Sequence, residues 1–391
     1  MSSALRERFW AVIAALVCVH AAMAATRVTA SLLLLHRGAP EWQVGALLSL
    51  FAVAPIGLSL WAGRLADRHG LHRPLAVGVL LGCAGAGIAV WSQHTLALAW
   101  AALCTGGGIA VAAVGIQREA GLMARDPSDL KRVFSWVALG PAISNAAAPV
   151  LVGLLIDHVG FRAGFVLAAS LPLLAWWLGR LLPRLAPKPP AAAAASARTR
   201  SALWRHPPLV LLVGLNLALS STWDAHSFVV PVLGHARGMS ASAIGLVLGS
   251  FAVAASLVRL AISRWADHLD EVRALRWAMA VAGSTCLVYA FLPGVGGMLL
   301  GSAVLGVALG SVQPMVLALL HQVTPAARHG EALGLRMLAT NAATIGMPLL
   351  FGLLAGATSR AAPMWLMSSL LALAWWQAGR LPPAHAREVA G

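Results

Sequence analysis

The chain has 391 residues, 59% of them hydrophobic and only 10% charged, with a mean hydropathy of +0.80. A soluble domain carries roughly 25% charged residues, so this chain has too little polar surface to face water on every side. Its net charge of +15 could suit nucleic acid, but the basic residues fall mainly in alternate loops between apolar runs, a bias that sets orientation in a membrane and points away from a nucleic-acid partner.

Apolar runs of about 20 residues recur, each long enough to cross a ~30 Å hydrocarbon core. They are continuous rather than short and alternating, which predicts helices and not a barrel. Arg6 and Arg8 before an apolar run, with Ala22-Met23-Ala24 after it, resemble a cleavable secretory signal. The apolar character continues through Leu32 to Leu35, however, and has a counterpart around 209–233 where no signal could act. The first span is therefore expected at Phe9–Leu35. Val44–Trp61, Leu75–Trp91, Leu96–Ile116, Val133–Ile156 and Ala163–Leu182 complete a first six-helix bundle over residues 1–182.

Residues 183–208, with Pro189-Pro190, an alanine run and Arg198, Arg200 and Arg205, read as a cytoplasmic linker. A second bundle over 209–391 follows, with spans at Leu209–Leu233, Ile244–Ile262, Trp277–Leu292, Met298–Leu320, Leu335–Leu354 and Met364–Ala378. In this topology the outer loops hold only Arg37, Arg162, Arg237 and Arg360. Arg27 and Arg259 lie within spans, and every other Lys or Arg is inside. The expectation is a monomeric, multi-pass protein of a bacterial-type inner membrane, with both termini cytoplasmic. Trp176-Trp177 and Trp375-Trp376, each followed by an arginine (Arg180, Arg380), read as interfacial anchors. Cys18, Cys83, Cys104 and Cys286 lie in spans without metal-ligand spacing, so no disulfide, metal or cofactor is expected.

One stretch is repeated. Gly63-Arg64-Leu65-Ala66-Asp67-Arg68-His69-Gly70 forms a short charged loop between apolar runs, and Ser263-Arg264-Trp265-Ala266-Asp267-His268 matches it 200 positions on. Upstream, Phe51-Ala52-Val53-Ala54 recurs as Phe251-Ala252-Val253-Ala254, Gly45 as Gly245 and Arg37-Gly38 as Arg237-Gly238. A gapless register from Arg37 to Arg73 makes the halves copies of one ancestor.

Twelve spans in two related halves, with this loop after the second, resemble the major facilitator superfamily over the whole chain. Gly63, Ala66, Asp67, Arg68 and Gly70 match that family's signature between its second and third helices. Ala148-Pro149-Val150-Leu151-Val152-Gly153 is similar to a glycine-proline segment of its exporters, with Ala148 and Val152 in place of glycines. The resemblance implies an all-α fold of two pseudo-symmetric six-helix bundles. It also implies a conformational latch at Gly63, Asp67, Arg68 and Gly70, with Asp267 as its weaker copy. The other reading is a charged turn that only sets topology. The family's fourth helix often carries a buried arginine linked to proton coupling; here Cys104-Thr105-Gly106-Gly107-Gly108 holds no basic residue.

A charge inside a span costs roughly 2.5–3.5 kcal/mol on insertion scales, which makes it a functional candidate. Arg27 and Asp224 lie at similar depth in spans 1 and 7, with Trp223 and His226 beside Asp224. In the resembled fold spans 1, 4, 7 and 10 line a central cavity, so Arg27 and Asp224 are expected to face it, Asp224 as proton carrier and His226 as second choice. The alternative is a structural ion pair. Gln117 and Gln313, and Asn145 and Asn341, are paired in the repeat and could bond substrate or glue helices together. Arg259 is expected to snorkel rather than to contact a ligand, His20 to be packed rather than a ligand, and the glycines of spans 4 and 10 to serve close packing. The chain thus reads as a secondary transporter of a small organic solute, as a proton-coupled exporter or as an importer or antiporter of an organic anion. An intramembrane enzyme would need more than Asp224 and His226, whose spacing of two puts them on different helical faces. A membrane sensor would need an input domain.

Overall fold

A computed structural model describes residues 3–123, 133, 136–182, 206–265, 270–324 and 328–381. Asp267, Lys131, Arg132 and linker positions 183–205 lie outside the described residues. Those described form thirteen helices and no strand: α1 (Ser3–His36), α2 (Glu41–His69), α3 (His72–Trp91), α4 (Thr95–Leu122), α5 (Leu139–His158), α6 (Phe161–Arg180), α7 (Pro207–Ala236), α8 (Ala241–Trp265), α9 (Glu271–Tyr289), α10 (Gly294–Gly310), α11 (Val312–Val323), α12 (His329–Ala357) and α13 (Ala362–Ala378). Ten stretches are long and apolar enough to cross a bilayer, α10 and α11 together counting as one. With α9 and the 17-residue α13, they make up the twelve spans.

Two expectations change. The charged loop after span 2 is mostly helix: α2 runs on through Gly63, Asp67 and Arg68 to His69. Arg64, Leu65, Ala66 and Arg68 are sound helix formers. The helix stops only at Gly70, where φ is 68° and the N–H bonds the carbonyl of Ala66. Gly63 keeps a negative φ, and a Cβ there would meet nothing within 4 Å.

Span 10, expected as one helix, is broken at Ser311 into α10 and α11. Pro314 is the cause. It has no N–H for the carbonyl four residues back, and its ring crowds that carbonyl, which belongs to Gly310.

The chain packs as two compact units: Met1–Ala193 with Gly234–Gly249, and Ala194–Leu233 with Ser250–Gly391. In the first, α4 lies against α2 and α3 through missing side chains. A Cβ on Gly106 would collide with the carbonyl of Phe51, and one on Gly108 would come 2.7 Å from the carbonyl oxygen of Gly78. In the second unit a Cβ on Gly306 would collide with the carbonyl of Phe251. The same contact is thus made twice, 200 positions apart, as the packing reading of these glycines expects. Gly38 and Gly238 likewise end α1 and α7 in matching left-handed turns, with φ of 70° and 69°.

The first unit also accounts for the start of α8. Asp157 Oδ1 accepts the N–H of Ala241 at 2.9 Å and Oδ2 that of Ser242 at 2.8 Å, while Ser240 Oγ accepts that of Ala243 at 3.2 Å. Three of the four orphan donors of a helix N-terminus are satisfied in this way. Bare backbone lets α5 come this close: a Cβ on Gly249 would lie 2.9 Å from the carbonyl oxygen of Ala146.

Candidate functional site

In the second unit α7 presents Asn216, Leu219, Ser220, Trp223 and Asp224 at the three- and four-residue spacing of one helical face. With Arg259 of α8, Leu309 of α10, Val312 and Gln313 of α11 and Arg336, Thr340 and Thr344 of α12, they line a cavity of about 280 Å³. Asp224 is 8% exposed. Trp223 is held edge-on against Phe251, centroids 4.4 Å apart.

Arg259 lines this cavity, the ligand-facing alternative to snorkelling. Its Nε donates to the carbonyl of Gly310 at 3.4 Å, and its guanidinium lies 5.8 Å from the centroid of the Trp223 ring. The acceptor is available because Pro314 has deprived Gly310 O of its helical partner. Gly310 itself lets α8 approach, since a Cβ there would lie 2.6 Å from the carbonyl oxygen of Ala255. The helix break therefore aims the arginine.

Arg336 is a second guanidinium, counted from sequence among the cytoplasmic charges. Here it stands two turns into α12 and lines the cavity. Its Nε is buried without a hydrogen-bond partner. One turn on, Thr340 Oγ1 donates to the carbonyl of Arg336 at 2.9 Å and accepts from Asn216 Nδ2 at 3.0 Å, tying α12 to α7. Asn216, Arg336, Thr340 and Thr344 were missed from sequence. The one available signal was an arginine inside an apolar run, Leu335-Arg336-Met337-Leu338.

The expected site residues divide. Trp223, Asp224 and Gln313 line this cavity. His226, 1% exposed, does not: its Nε2 is 2.8 Å from Ser302 Oγ, and its ring stacks on Phe251 at 4.3 Å. Tyr289 closes the cluster, with its hydroxyl 2.6 Å from the same Ser302 Oγ. Asn341 is exposed on α12 and is not among the residues that line this cavity. In the first unit Arg27 is half-buried in α1 and Gln117 exposed on α4. Asn145 turns its amide to the carbonyl of Pro141 in its own helix, at 2.9 Å. Asp67 pairs with Arg118 of α4, Oδ1 to Nε 3.3 Å, and Arg68 is exposed.

The family profile described as Major Facilitator Superfamily matches residues 12–223 and 215–390, the length of both halves. The chain belongs to the major facilitator superfamily. It is a multi-pass membrane protein of a transporter family, and its general activity is secondary transport.

Solved structures share the fold at low identity. The nucleoside transporter NupG superposes with a TM-score of 0.78 at 12% identity, covering 96% of this chain and 99% of that one. A bacterial homologue of the human lysosomal transporter Spinster, in an inward-facing and unoccupied conformation, gives 0.75 at 13%, with 97% and 98% covered. A peptide transporter of the POT family in complex with sulfate gives 0.73 at 15%, with 97% and 96% covered.

Proposed function

We propose that this superfamily member moves a small organic solute by alternating access, with the Trp223–Asp224 cavity as a solute site, and that it exports the solute in exchange for protons. The observation that supports this is a carboxylate, Asp224, on the wall of a polar and aromatic cavity within the spans. A charge within a span is costly, which makes it a functional candidate, and a carboxylate can shed its charge by taking up a proton. Arg27 is kept as a second candidate from the first unit. Asp67, now with Arg118 as its partner, is kept as the inner latch, in a bacterial inner membrane with both termini inside.

In proteoliposomes, solute flux is expected to follow an imposed pH gradient, and Asp224→Asn to make flux indifferent to it. Wild-type flux that ignores the gradient, together with a silent Asp224→Asn, overturns the proton version. A second reading, uptake or exchange of an organic anion without proton coupling, is favoured by two guanidinium groups lining the cavity against one carboxylate. In that case flux should follow membrane potential or a counter-anion instead.

A further inference from the structure

We propose that this cavity is an anion site in which Arg336 grips the charged group of a small substrate, Arg259 backs it, and the apolar part of the substrate lies against Trp223. The inference rests on reading the cavity as the solute site, and it names the class of solute.

Charge comes first. Each element that lines the cavity can be taken in turn: α7 contributes Asp224, α8 Arg259, α12 Arg336, and α10 and α11 no ionisable group. His226 is turned to Ser302 and Phe251. Formal charge on the wall is thus two positive against one negative, which favours an anionic ligand.

Hydrogen bonding gives the division of labour. Arg259 has its Nε engaged by Gly310, which fixes where its guanidinium points. Arg336 has a buried Nε with no partner. A donor withheld from water and left unbonded is costly, and an arriving oxyanion supplies the missing acceptor in the fork geometry that guanidinium favours. The rest of the wall suits a carbon body: the Trp223 ring, with Leu219, Leu309 and Val312. A volume of about 280 Å³ falls just below the usual span of ligand cavities, ~300–1,000 Å³, and suits a compact monoanion rather than a peptide.

Coupling follows from the confinement. In so small a cavity a bound anion and a charged Asp224 repel each other. Protonation of Asp224 and anion binding therefore reinforce one another, affinity should rise as pH falls, and an anionic solute would travel with the proton instead of exchanging for it as in the export version above.

The test uses purified protein in detergent, with thermal unfolding and calorimetry. The probes are benzoate, phenylacetate and phenyl phosphate, with benzamide and benzylamine as neutral and cationic counterparts. At least one anion is expected to bind saturably, at least tenfold more tightly than benzamide or benzylamine. Arg336→Gln should weaken it tenfold or more, and Arg336→Lys should restore part of the loss. Asp224→Asn should strengthen binding and remove its dependence on pH.

Three results each overturn the proposal: benzamide binding as tightly as the anions, Arg336→Gln leaving anion affinity unchanged, or no anion binding saturably. If Arg336→Gln fails to fold, the benzamide comparison and the wild-type pH profile decide alone. Anion binding without vesicle flux would sink the transport reading and leave this one standing. Flux of a neutral or cationic solute without anion binding would do the reverse.

Discussion

Asp157 shows how a single side chain can serve a neighbouring helix. Its two oxygens take the first two N–H groups of α8, and negative charge is favourable at a helix N-terminus. Asp157→Ala is expected to cost about 0.5–2 kcal/mol, the range for losing an N-cap, with Asp157→Asn less severe because one acceptor remains. Thermal unfolding of the two variants checks the order. Asp67 makes a different kind of pair. At 52% side-chain exposure its bond to Arg118 contributes ~0–1 kcal/mol, so any strong effect of Asp67→Asn belongs to transport rate rather than to stability. Residues at this scale were unevenly legible. Asp224 stood out because a carboxylate in an apolar run has few explanations. Arg336 did not, because Arg328, His329 and Glu331 just before it look like the end of a charged loop. His226 was drawn into the site by its nearness in sequence, although two residues along a helix is a turn of roughly 200°.

Helices were more legible than their ends and interruptions. Hydropathy located every span, but α2 outran its apolar run by more than two turns because charged residues can be good helix formers. The break in α10–α11 was hidden by hydropathy that continues unchanged across Ser311. Pro314 is the element-scale control of the site. Pro314→Ala is expected to give the Gly310 carbonyl a helical partner, to stabilise the span, and to deprive Arg259 of its anchor. A rise in unfolding temperature with a fall in affinity for the anionic probes is the expected pair of results. A variant that gains stability and keeps affinity would show that Arg259 needs no such anchor.

For the whole molecule, duplication was the most legible feature, because a register of 200 survives in sequence and reappears as matching glycine contacts at Phe51 and Phe251. Less legible was where compact packing divides the chain: Gly234–Gly249 packs with the first unit although it follows the linker in sequence. Cutting the chain within 183–208 and co-expressing fragments 1–182 and 209–391 is expected to restore flux, with neither fragment active alone. Fragment 209–391 by itself should be the poorer folder, since Ala241 and Ser242 would lose Asp157. Recovery of each fragment from membranes, and flux after mixing, check this.

The broken helix also separates the two copies from each other. Two hundred positions before Arg259, Gly310 and Pro314 stand Ser59, Ala110 and Val114, and α4 runs from Thr95 to Leu122 without interruption. The ancestral gene supplied both copies with the same scaffold, but only the later one carries an imino acid that turns a backbone oxygen into a holder for a cation. The proposed cargo site is therefore lopsided: the interrupted helix sits in one twin, and the other has an unbroken rod in its place.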